Sequence, residues 1–200
     1  MGNVGKSERS YHHGQLRSAL ISQSLRILEA GDVERLSLRE VARAAGVSAT
    51  AVYRHFPNKE ALLRAVSSEG FYRLDEAQSS ASLKAGGGVE GFNASGAAYV
   101  RFALSNSSLF RLMFNHSPDI GSKTTLQKDV YAVQAMRHLQ EAVAALIGVE
   151  VDDPRTRSTA LRAWSLVHGL SLLILDGQVE ADSQTIEETI NIQGAIGTSR

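Results

Sequence analysis

Apolar side chains recur every three or four positions along most of this chain, which is the spacing of one face of an α-helix. The first run covers residues 16–28, and three more helices are predicted to begin at the capping residues Ser37, Ser48 and Asn58. Ser37 is followed three residues later by a glutamate, which predicts a capping box. Pro57 forces the residue before it out of helical geometry. The residues that this spacing places inward are Leu16, Leu20, Ile21, Leu25, Leu28, Leu38, Val41, Ala42, Ala45, Ala51, Val52, Phe56, Leu62, Leu63, Val66 and Phe71.

A cluster of glycines interrupts the helical pattern near the middle of the chain. Five glycines fall within residues 85–96, which predicts a loop and a domain boundary. Beyond it the apolar spacing resumes and predicts helices over residues 99–104, 107–115, 129–147, 154–175 and 183–192. Polar stretches predict a mobile arm, a loop and a frayed tail, over residues 1–11, 118–125 and 194–200. The chain is therefore predicted to be all-α, with a domain on each side of the glycine cluster.

The composition narrows the classes of protein that remain. With 200 residues, 43% of them hydrophobic, the chain can bury a substantial core. The absence of cysteine excludes a disulfide framework, a thiolate zinc site and a thiol nucleophile. No apolar run reaches membrane-spanning length, and no apolar segment follows the N-terminal charges, so we expect neither a membrane span nor a secretory signal. These features agree with a cytoplasmic location.

The charge is distributed unevenly, although its net value is zero. Basic residues slightly outnumber acidic ones in the first 75 residues, and the reverse holds for the remainder. The basic excess is small, so any affinity for nucleic acid has to come from well-placed individual contacts and not from a broad positive surface.

The most informative motif lies within residues 37–60. Two short predicted helices are separated by Ala45, Gly46 and Val47, and a third begins directly behind Pro57. Gly46 supplies the backbone freedom that a tight turn needs. This is the layout of a helix-turn-helix, whose second helix enters the DNA major groove. The sequence therefore predicts a three-helix DNA-binding domain over residues 12–74, with the motif itself at 37–56.

The segment from His13 to Arg73 resembles the DNA-binding domain of the TetR family of bacterial transcriptional regulators. Many independent positions agree, which makes this similarity much more specific than a short glycine motif. The matching residues are Arg39, Val41, Ala42, Ala45, Gly46, Val47, Ser48, Tyr53, His55, Phe56, Asn58, Lys59, Glu60 and Leu62.

The resemblance implies a role for each polar position of the motif. Thr50 and Arg54 are expected at base edges, since a good bidentate contact from Arg to guanine is worth about 1–3 kcal/mol of discrimination. Ala49 can offer only a methyl group, and the other members are expected at backbone phosphates. The predicted DNA-binding residues are Ser37, Arg39, Ser48, Ala49, Thr50, Tyr53, Arg54, His55 and Lys59. The arm residues implied at the flanking minor groove are Lys6, Arg9, His12 and His13.

Some of these residues also have a purely structural interpretation. Ser37 can cap its helix without contacting DNA, Tyr53 can be a core residue, and Arg54 can be a solvated charge. Phe56 is predicted to be a core residue only.

The C-terminal half resembles a TetR subgroup that is marked by a Trp and a later His-Gly pair, here Trp164, His168 and Gly169. Other matching positions are Tyr99, Phe102, Ala103 and the run Leu109–Phe114. The subgroup often has Asn-Pro before that run, where this chain has Asn106 and Ser107. The missing proline is expected to soften the start of that helix without changing the fold.

An apolar and aromatic group in this half is either ordinary core or the wall of an effector pocket. Spacing alone favours core, whereas the family resemblance favours a pocket, because such pockets are mostly apolar with few polar groups. His168 is predicted to be a hydrogen-bonded core or pocket histidine, with Trp164 stacked on the same helix face. The predicted ligand-binding residues are Phe102, Leu109, Phe110, Met113, Phe114, Met136, Trp164 and His168.

No metal, cofactor or catalytic site is predicted. His116, His138 and His168 lie on different predicted helices or helix ends, without the i,i+4 spacing of helical metal ligands. The glycines of residues 86–91 lack the G-x-G-x-x-G order and a preceding strand. No G-x-S-x-G nucleophile elbow is present. We therefore do not expect an enzyme.

The resemblance implies a ligand-responsive repressor that binds a palindromic double-stranded DNA operator as a homodimer. Its C-terminal effector-binding and dimerisation domain would cover residues 86–195. The helix at 156–175 and the last helix would form a four-helix bundle with a second copy. A small apolar or aromatic effector would enter between the helices of Tyr99, Leu109 and Met136. The alternative is a DNA-bound protein of the same fold whose C-terminal domain binds a protein partner and no metabolite.

Overall fold

The computed structural model describes residues 5–31, 33, 35–115 and 130–191, with side chains from Gln15 onward, and it confirms an all-α chain over these residues. The helices in these ranges are α1 (Gly5–Glu29), α2 (Leu38–Ala45), α3 (Ala49–His55), α4 (Lys59–Lys84), α5 (Gly88–Ser105), α6 (Ser107–Asn115), α7 (Val130–Ile147), α8 (Pro154–Leu175) and α9 (Ser183–Ile190).

One compact unit comprises the chain up to Gly70 together with a later segment that contains most of α6. Within it, α2 packs against both α1 and α3, as a three-helix DNA-binding domain requires. The predicted inward-facing residues of this unit are all buried or half-buried. The side chains that are most completely buried include Leu20, Leu28, Leu36, Val41, Val52, Phe56, Leu62, Val66, Phe110, Leu112 and Met113.

The second compact unit begins at Phe71 within α4 and contains α5, α7, α8 and α9. Here α8 packs against α5 and α7, and α5 packs against α9. Small and branched side chains from α5, α8 and α9 form its core: Ala97, Val100, Leu170, Ile174, Ile186 and Ile190. Among the described helices, α8 has the length and apolar composition that could cross a membrane, but one of its faces is packed within this unit.

The predicted loop over residues 85–96 is wrong from Gly88 onward, because α5 begins there and the later glycines are helical. The turn is confined to the start of the cluster, where Gly86 and Gly87 have φ angles of 85° and 74°. A Cβ on Gly91 would lie 2.7 Å from the Oγ of Ser82 and 3.0 Å from its carbonyl oxygen. The glycine at this position therefore permits close contact between two helices and does not form a turn.

The predicted mobile arm over residues 1–11 is wrong for residues 5–11, which form the first turns of α1. Lys, Glu and Arg are good helix formers, but without an apolar stripe they leave no periodic signal. The predicted minor-groove contacts of Lys6, Arg9, His12 and His13 concern side chains outside the described residues. The predicted loop at 118–125 and tail at 194–200 also lie outside them.

The other predicted helices agree with the structure to within a few residues. Those at 107–115 and 154–175 are confirmed as α6 and α8. The helix predicted at 99–104 is the last part of the longer α5. α7 is described from Val130, and α9 ends at Ile190 and not at the predicted residue 192.

Candidate DNA-binding surface and ligand site

The start of α2 is stabilised by the serine that the sequence predicts. Ser37 has extended backbone angles, and its hydroxyl accepts a hydrogen bond of 3.1 Å from the backbone N–H of Glu40. The Glu40 carboxylate forms an ion pair with Arg43, which lowers the pKa of Glu40 through that hydrogen bond. The serine half of the predicted capping box is therefore confirmed, while the glutamate carboxylate lies against an arginine of its own helix.

The turn between α2 and α3 depends on one left-handed residue. Gly46 has φ of 66° and ψ of 30°, and the next N–H, that of Val47, donates to the carbonyl oxygen of Ala42 at 3.0 Å. A Cβ on Gly46 would meet nothing within 4 Å. The glycine is needed here for its backbone angle and not for space.

α3 is a seven-residue helix that is stabilised at both ends. Ser48 caps its start, since the hydroxyl accepts a 3.2 Å hydrogen bond from the backbone N–H of Ala51. At its end Phe56 is extended, with φ of −133° and ψ of 101°, and its N–H donates to the carbonyl oxygen of Val52 at 2.9 Å. Val52 and Phe56 are almost wholly buried, so they fix which face of α3 points inward.

The predicted DNA-binding residues of α3 lie on the opposite, largely exposed face of this helix. Ala49, Thr50, Tyr53 and Arg54 are exposed, and His55 is half-buried. The tyrosine ring is 48% exposed, so the alternative that Tyr53 is a core residue is wrong. The structure thus presents the polar side chains of a short capped helix to solvent, as a recognition helix requires.

Other predicted phosphate-binding positions lie at the starts of neighbouring helices. Arg39 in the first turn of α2 and Lys59 at the start of α4 are exposed. Asn58 caps α4, since its Oδ1 accepts a 2.8 Å hydrogen bond from the N–H of Ala61. The N-terminus of a helix favours negative charge, so cationic side chains beside such ends are suited to DNA phosphates.

A hydrogen-bonded aromatic cluster lies in the second unit, between α5 and α8. The indole Nε1–H of Trp164 donates to the Tyr99 hydroxyl oxygen at 3.3 Å, and that oxygen is 2.9 Å from Nδ1 of His168. The Trp164 and His168 ring centroids are 5.7 Å apart on successive turns of α8, as the sequence predicts. Tyr99 is almost fully buried, whereas the other two are half-buried.

Donor and acceptor roles in this cluster follow from its chemistry. Indole nitrogen can only donate, so the Tyr99 oxygen accepts from Trp164 and its own proton is available to Nδ1 of His168. Burial lowers the pKa of His168, which favours the neutral ring, and burial raises the pKa of Tyr99, which favours the protonated hydroxyl. The histidine is thus inferred to carry its proton on Nε2.

Sequence reasoning did not include Tyr99 in the ligand set, although the hydroxyl of this residue joins the cluster. Its helical spacing carries no signal for a hydrogen bond to residues more than sixty positions later. The apolar part of the predicted ligand set divides between the two units. Leu109, Phe110, Met113 and Phe114 lie in the first unit, and Phe102 and Met136 lie in the second. Their role in binding a ligand stays a prediction.

The histidines that were considered as metal ligands have other neighbours where they are described. His138 Nδ1 lies 2.8 Å from Oδ1 of Asp75, and His168 belongs to the aromatic cluster. His116 lies outside the described residues. Among the residues that are described, no group of three His, Asp or Glu side chains is placed to hold a metal ion.

The capped helices, the left-handed glycine and the exposed second helix define the class of helix-turn-helix transcription regulators. Two family profiles match the chain. One, described as bacterial regulatory proteins of the tetR family, covers residues 20–66. The other, described as a tetracyclin repressor-like C-terminal domain, covers residues 92–192. The chain belongs to the TetR family.

Several known proteins are similar to this chain. An uncharacterised HTH-type transcriptional regulator of Haemophilus influenzae is 29% identical over 149 residues, which cover 70% of this chain and 66% of that protein. The structure of a protein of unknown function from Rhodococcus sp. RHA1 is 32% identical, with a TM-score of 0.70, and covers 93% of this chain and 95% of that one. A TetR-family regulator from Streptomyces coelicolor shares the fold, with a TM-score of 0.71 at 20% identity, over 92% of this chain and 80% of that one.

The family membership establishes the general function. The protein is a DNA-binding transcriptional regulator and not an enzyme. These matches do not identify a subgroup, so the resemblance of the C-terminal half to the Trp and His-Gly subgroup stays a prediction.

Proposed function

We propose that this regulator is a repressor that binds a palindromic operator as a homodimer and is released by a small apolar or aromatic effector. The observation that carries the proposal is the exposed polar face of α3 above the buried pair Val52 and Phe56. We assign Thr50 and Arg54 to base edges, because they are exposed on that face and can hydrogen-bond in the major groove. The remaining predicted positions of the motif, including Lys59, are assigned to phosphates.

The dimer is supported by the outer face of α8. Only 22% of the apolar stretch of this helix is buried within one chain, and Leu161 and Leu173 are 55% and 47% exposed. Gly169 lies on the same helix with nothing within 4 Å of its Cβ position, so a second helix could approach closely there. An apolar helix that is only partly buried within its own chain is suited to an interface, and a two-fold pair matches a palindromic operator.

The effector is supported by the cluster of Tyr99, Trp164 and His168. Ligand pockets combine mostly apolar and aromatic walls with a few polar groups that fix orientation. The cluster supplies three aromatic rings together with ring nitrogens and a hydroxyl in a largely buried position. An effector that binds one state of the protein more tightly than the other shifts operator affinity by that difference only.

One observation favours the alternative of a protein partner. Val130, Tyr131 and Val133 at the start of α7 are 73%, 41% and 49% exposed, which is unusual for three neighbouring apolar side chains. A partner protein could cover this patch without any small molecule.

The first experiment is fluorescence anisotropy with labelled duplexes from the region upstream of the protein's own gene, titrated at two salt concentrations. The proposal expects saturable binding to one palindromic fragment that survives competitor DNA. Weak binding to every fragment, fading steeply with salt, would be non-specific electrostatics and would contradict it. Light scattering of the same samples reports the dimer, and Leu161→Glu should make it a monomer and abolish operator binding.

A second experiment separates the effector from the protein partner. A panel of small aromatic and aliphatic compounds is added to the protein–operator complex while anisotropy and thermal unfolding are followed. A compound that raises the melting temperature and releases DNA supports the effector, and Trp164→Leu should weaken its effect. If no compound in the panel has this effect, the result favours the alternative that the C-terminal domain binds a protein partner.

A further inference from the structure

An exposed cation on α1 lies over the residue that ends the recognition helix. The guanidinium carbon of Arg17 is 5.3 Å from the centroid of the Phe56 ring. This is within the distance of about 6 Å at which a cation is attracted to an aromatic face. Arg17 is exposed, whereas Phe56 is only 1% exposed. The Arg17–Phe56 contact therefore links an exposed charged side chain of α1 to an aromatic ring in the core.

Phe56 has a special place in α3. It is the C-cap, its N–H donates to the carbonyl oxygen of Val52, and its ring is the last buried side chain of the helix. The C-terminal end of a helix carries partial negative charge, so a guanidinium nearby is favourable there for a second reason. A displacement of the Phe56 backbone would therefore also displace the last turn of α3.

Apart from this contact, α3 is held by its packing against α2 and by the burial of Val52. It has seven residues, of which Val52 is buried, and its start is stabilised by the cap at Ser48. A helix this short has little stability of its own and depends on tertiary contacts at its ends. The contact from α1 to Phe56 supplies such support at the end that carries Arg54.

We propose that Arg17 is a positioning residue for DNA recognition. Acting through Phe56, it holds the C-terminal end of α3 against α1 and so sets the angle at which Thr50 and Arg54 meet base edges. Arg17 itself need not touch DNA in this role. Hydrogen bonds to base edges require alignment, whereas phosphate contacts tolerate small rotations, so loss of Arg17 should reduce specific binding more than non-specific binding.

The experiment compares two duplexes with each variant of the full-length protein. The first is the duplex that the wild type enriches from a library with a randomised central segment, and the second is a scrambled duplex of the same composition. The variants are Arg17→Ala and Arg17→Lys, with Arg26→Ala as the matched control, because Arg26 is an exposed arginine in the last turn of the same helix. Affinities are measured at several salt concentrations, well below the melting temperature.

The expected result is a selective loss. Arg17→Ala should weaken binding to the enriched duplex about two- to fivefold for each recognition helix, as expected for an exposed cation–aromatic pair. Binding to the scrambled duplex and the salt slope should stay at the values of the Arg26→Ala control. Arg17→Lys should recover part of the loss, since it keeps a charge over the ring. An equal loss on both duplexes with a smaller salt slope would make Arg17 a phosphate contact and overturn the proposal.

A double-mutant cycle tests whether the effect passes through Phe56. Arg17→Ala should cost much less specific affinity in a Phe56→Leu background than in the wild type, because the cation then has no aromatic face. Additive losses would contradict the proposed route.

Hydrogen exchange of the free protein tests the proposal without DNA, even if no duplex is enriched or Phe56→Leu does not fold. In Arg17→Ala the backbone N–H of Phe56 should exchange with solvent several times faster than in Arg26→Ala, because the end of α3 opens more readily. Equal exchange rates in the two variants would overturn the proposal.

Discussion

The two compact units of this regulator position their candidate functional residues by different kinds of interaction. In the first unit, single residues fix the ends of short helices through bonds to nearby backbone groups or through their own backbone angles. Ser37 and Ser48 cap the starts of α2 and α3, and the left-handed Gly46 ends α2. In the second, the important contacts join distant parts of the chain, as when Tyr99 meets His168 at 2.9 Å. Caps and turns can be recognised from the local sequence, whereas contacts between distant residues cannot. Substitutions should therefore act on helix ends in the first unit and on contacts between helices in the second.

The largest expected effect concerns close helix packing in the second unit. Gly91→Ala should destabilise the protein by about 1–3 kcal/mol, because the new Cβ would meet a backbone oxygen of Ser82 that cannot move aside easily. Urea unfolding followed by circular dichroism measures the change.

Gly169→Ala is the control for that substitution. This glycine is helical and has no neighbour within 4 Å in its own chain, so in the monomeric Leu161→Glu background alanine should stabilise the helix by up to about 1 kcal/mol. If Gly91→Ala proves as stable as the wild type, close approach does not explain Gly91. A loss in Gly169→Ala that appears only when Leu161 is unchanged would mean that the second copy covers the outer face of α8.

The next effect tests the hydrogen bonds of the aromatic cluster. Tyr99→Phe removes the oxygen that accepts from Trp164 and meets His168, which leaves half-buried polar groups without that partner and should cost about 1–2 kcal/mol. Tyr53→Phe is the matched control, because that tyrosine is 48% exposed and its loss should change stability by less than about 0.5 kcal/mol. Thermal unfolding measures the stability of both variants. If both lose equally little stability, the hydrogen bonds of the cluster do not stabilise the protein.

A smaller effect separates helix capping from DNA binding in the first unit. Ser48→Ala removes the hydroxyl that caps α3 and should cost about 1 kcal/mol. Ser48→Asp keeps an acceptor at the cap and should restore stability, but its negative charge should weaken DNA binding below that of Ser48→Ala. Chemical unfolding and anisotropy on the same samples test the pair. If Ser48→Asp binds DNA as well as the wild type, Ser48 does not face the phosphates.

The smallest effect is a pH dependence of the second unit. Burial lowers the pKa of His168 in the folded protein, so the unfolded chain takes up a proton at higher pH than the folded one. The associated stability is complete above the ordinary histidine pKa of about 6.5 and is lost as pH falls towards the lower folded value. The free energy of unfolding should therefore decrease more between pH 7 and 5, a range set around that pKa, in the wild type than in His168→Gln. Parallel curves for the two proteins would contradict this assignment.

Much of the DNA-binding unit was predictable because its signals act over one helical turn. The caps at Ser37, Ser48 and Asn58 each bond to a backbone N–H three residues away, and each is confirmed. Pro57 acts on its immediate neighbour, and Phe56 is extended as predicted. The inward spacing of Val52 and Phe56 also implies which residues of α3 face solvent.

The second unit was predicted less well, for a physical reason that the glycine cluster illustrates. A glycine in sequence permits either a turn or a close approach between helices, and nothing local distinguishes the two. Gly86 and Gly87 form the turn, while Gly91 lies inside α5 against Ser82. The pattern therefore predicted too long a loop and too short a helix.

By itself the sequence determined the helical class, the helix-turn-helix with its caps and turn, and the exposed polar face of the recognition helix. Each of these is indicated by backbone groups and side chains within a few residues of one another, so the preference can be recognised without knowing the rest of the chain. Only the tertiary structure decided that Arg17 lies over Phe56, that Tyr99 joins Trp164 to His168, and that Gly91 meets Ser82. Such contacts depend on how whole helices pack, and packing is set by all of their buried side chains together.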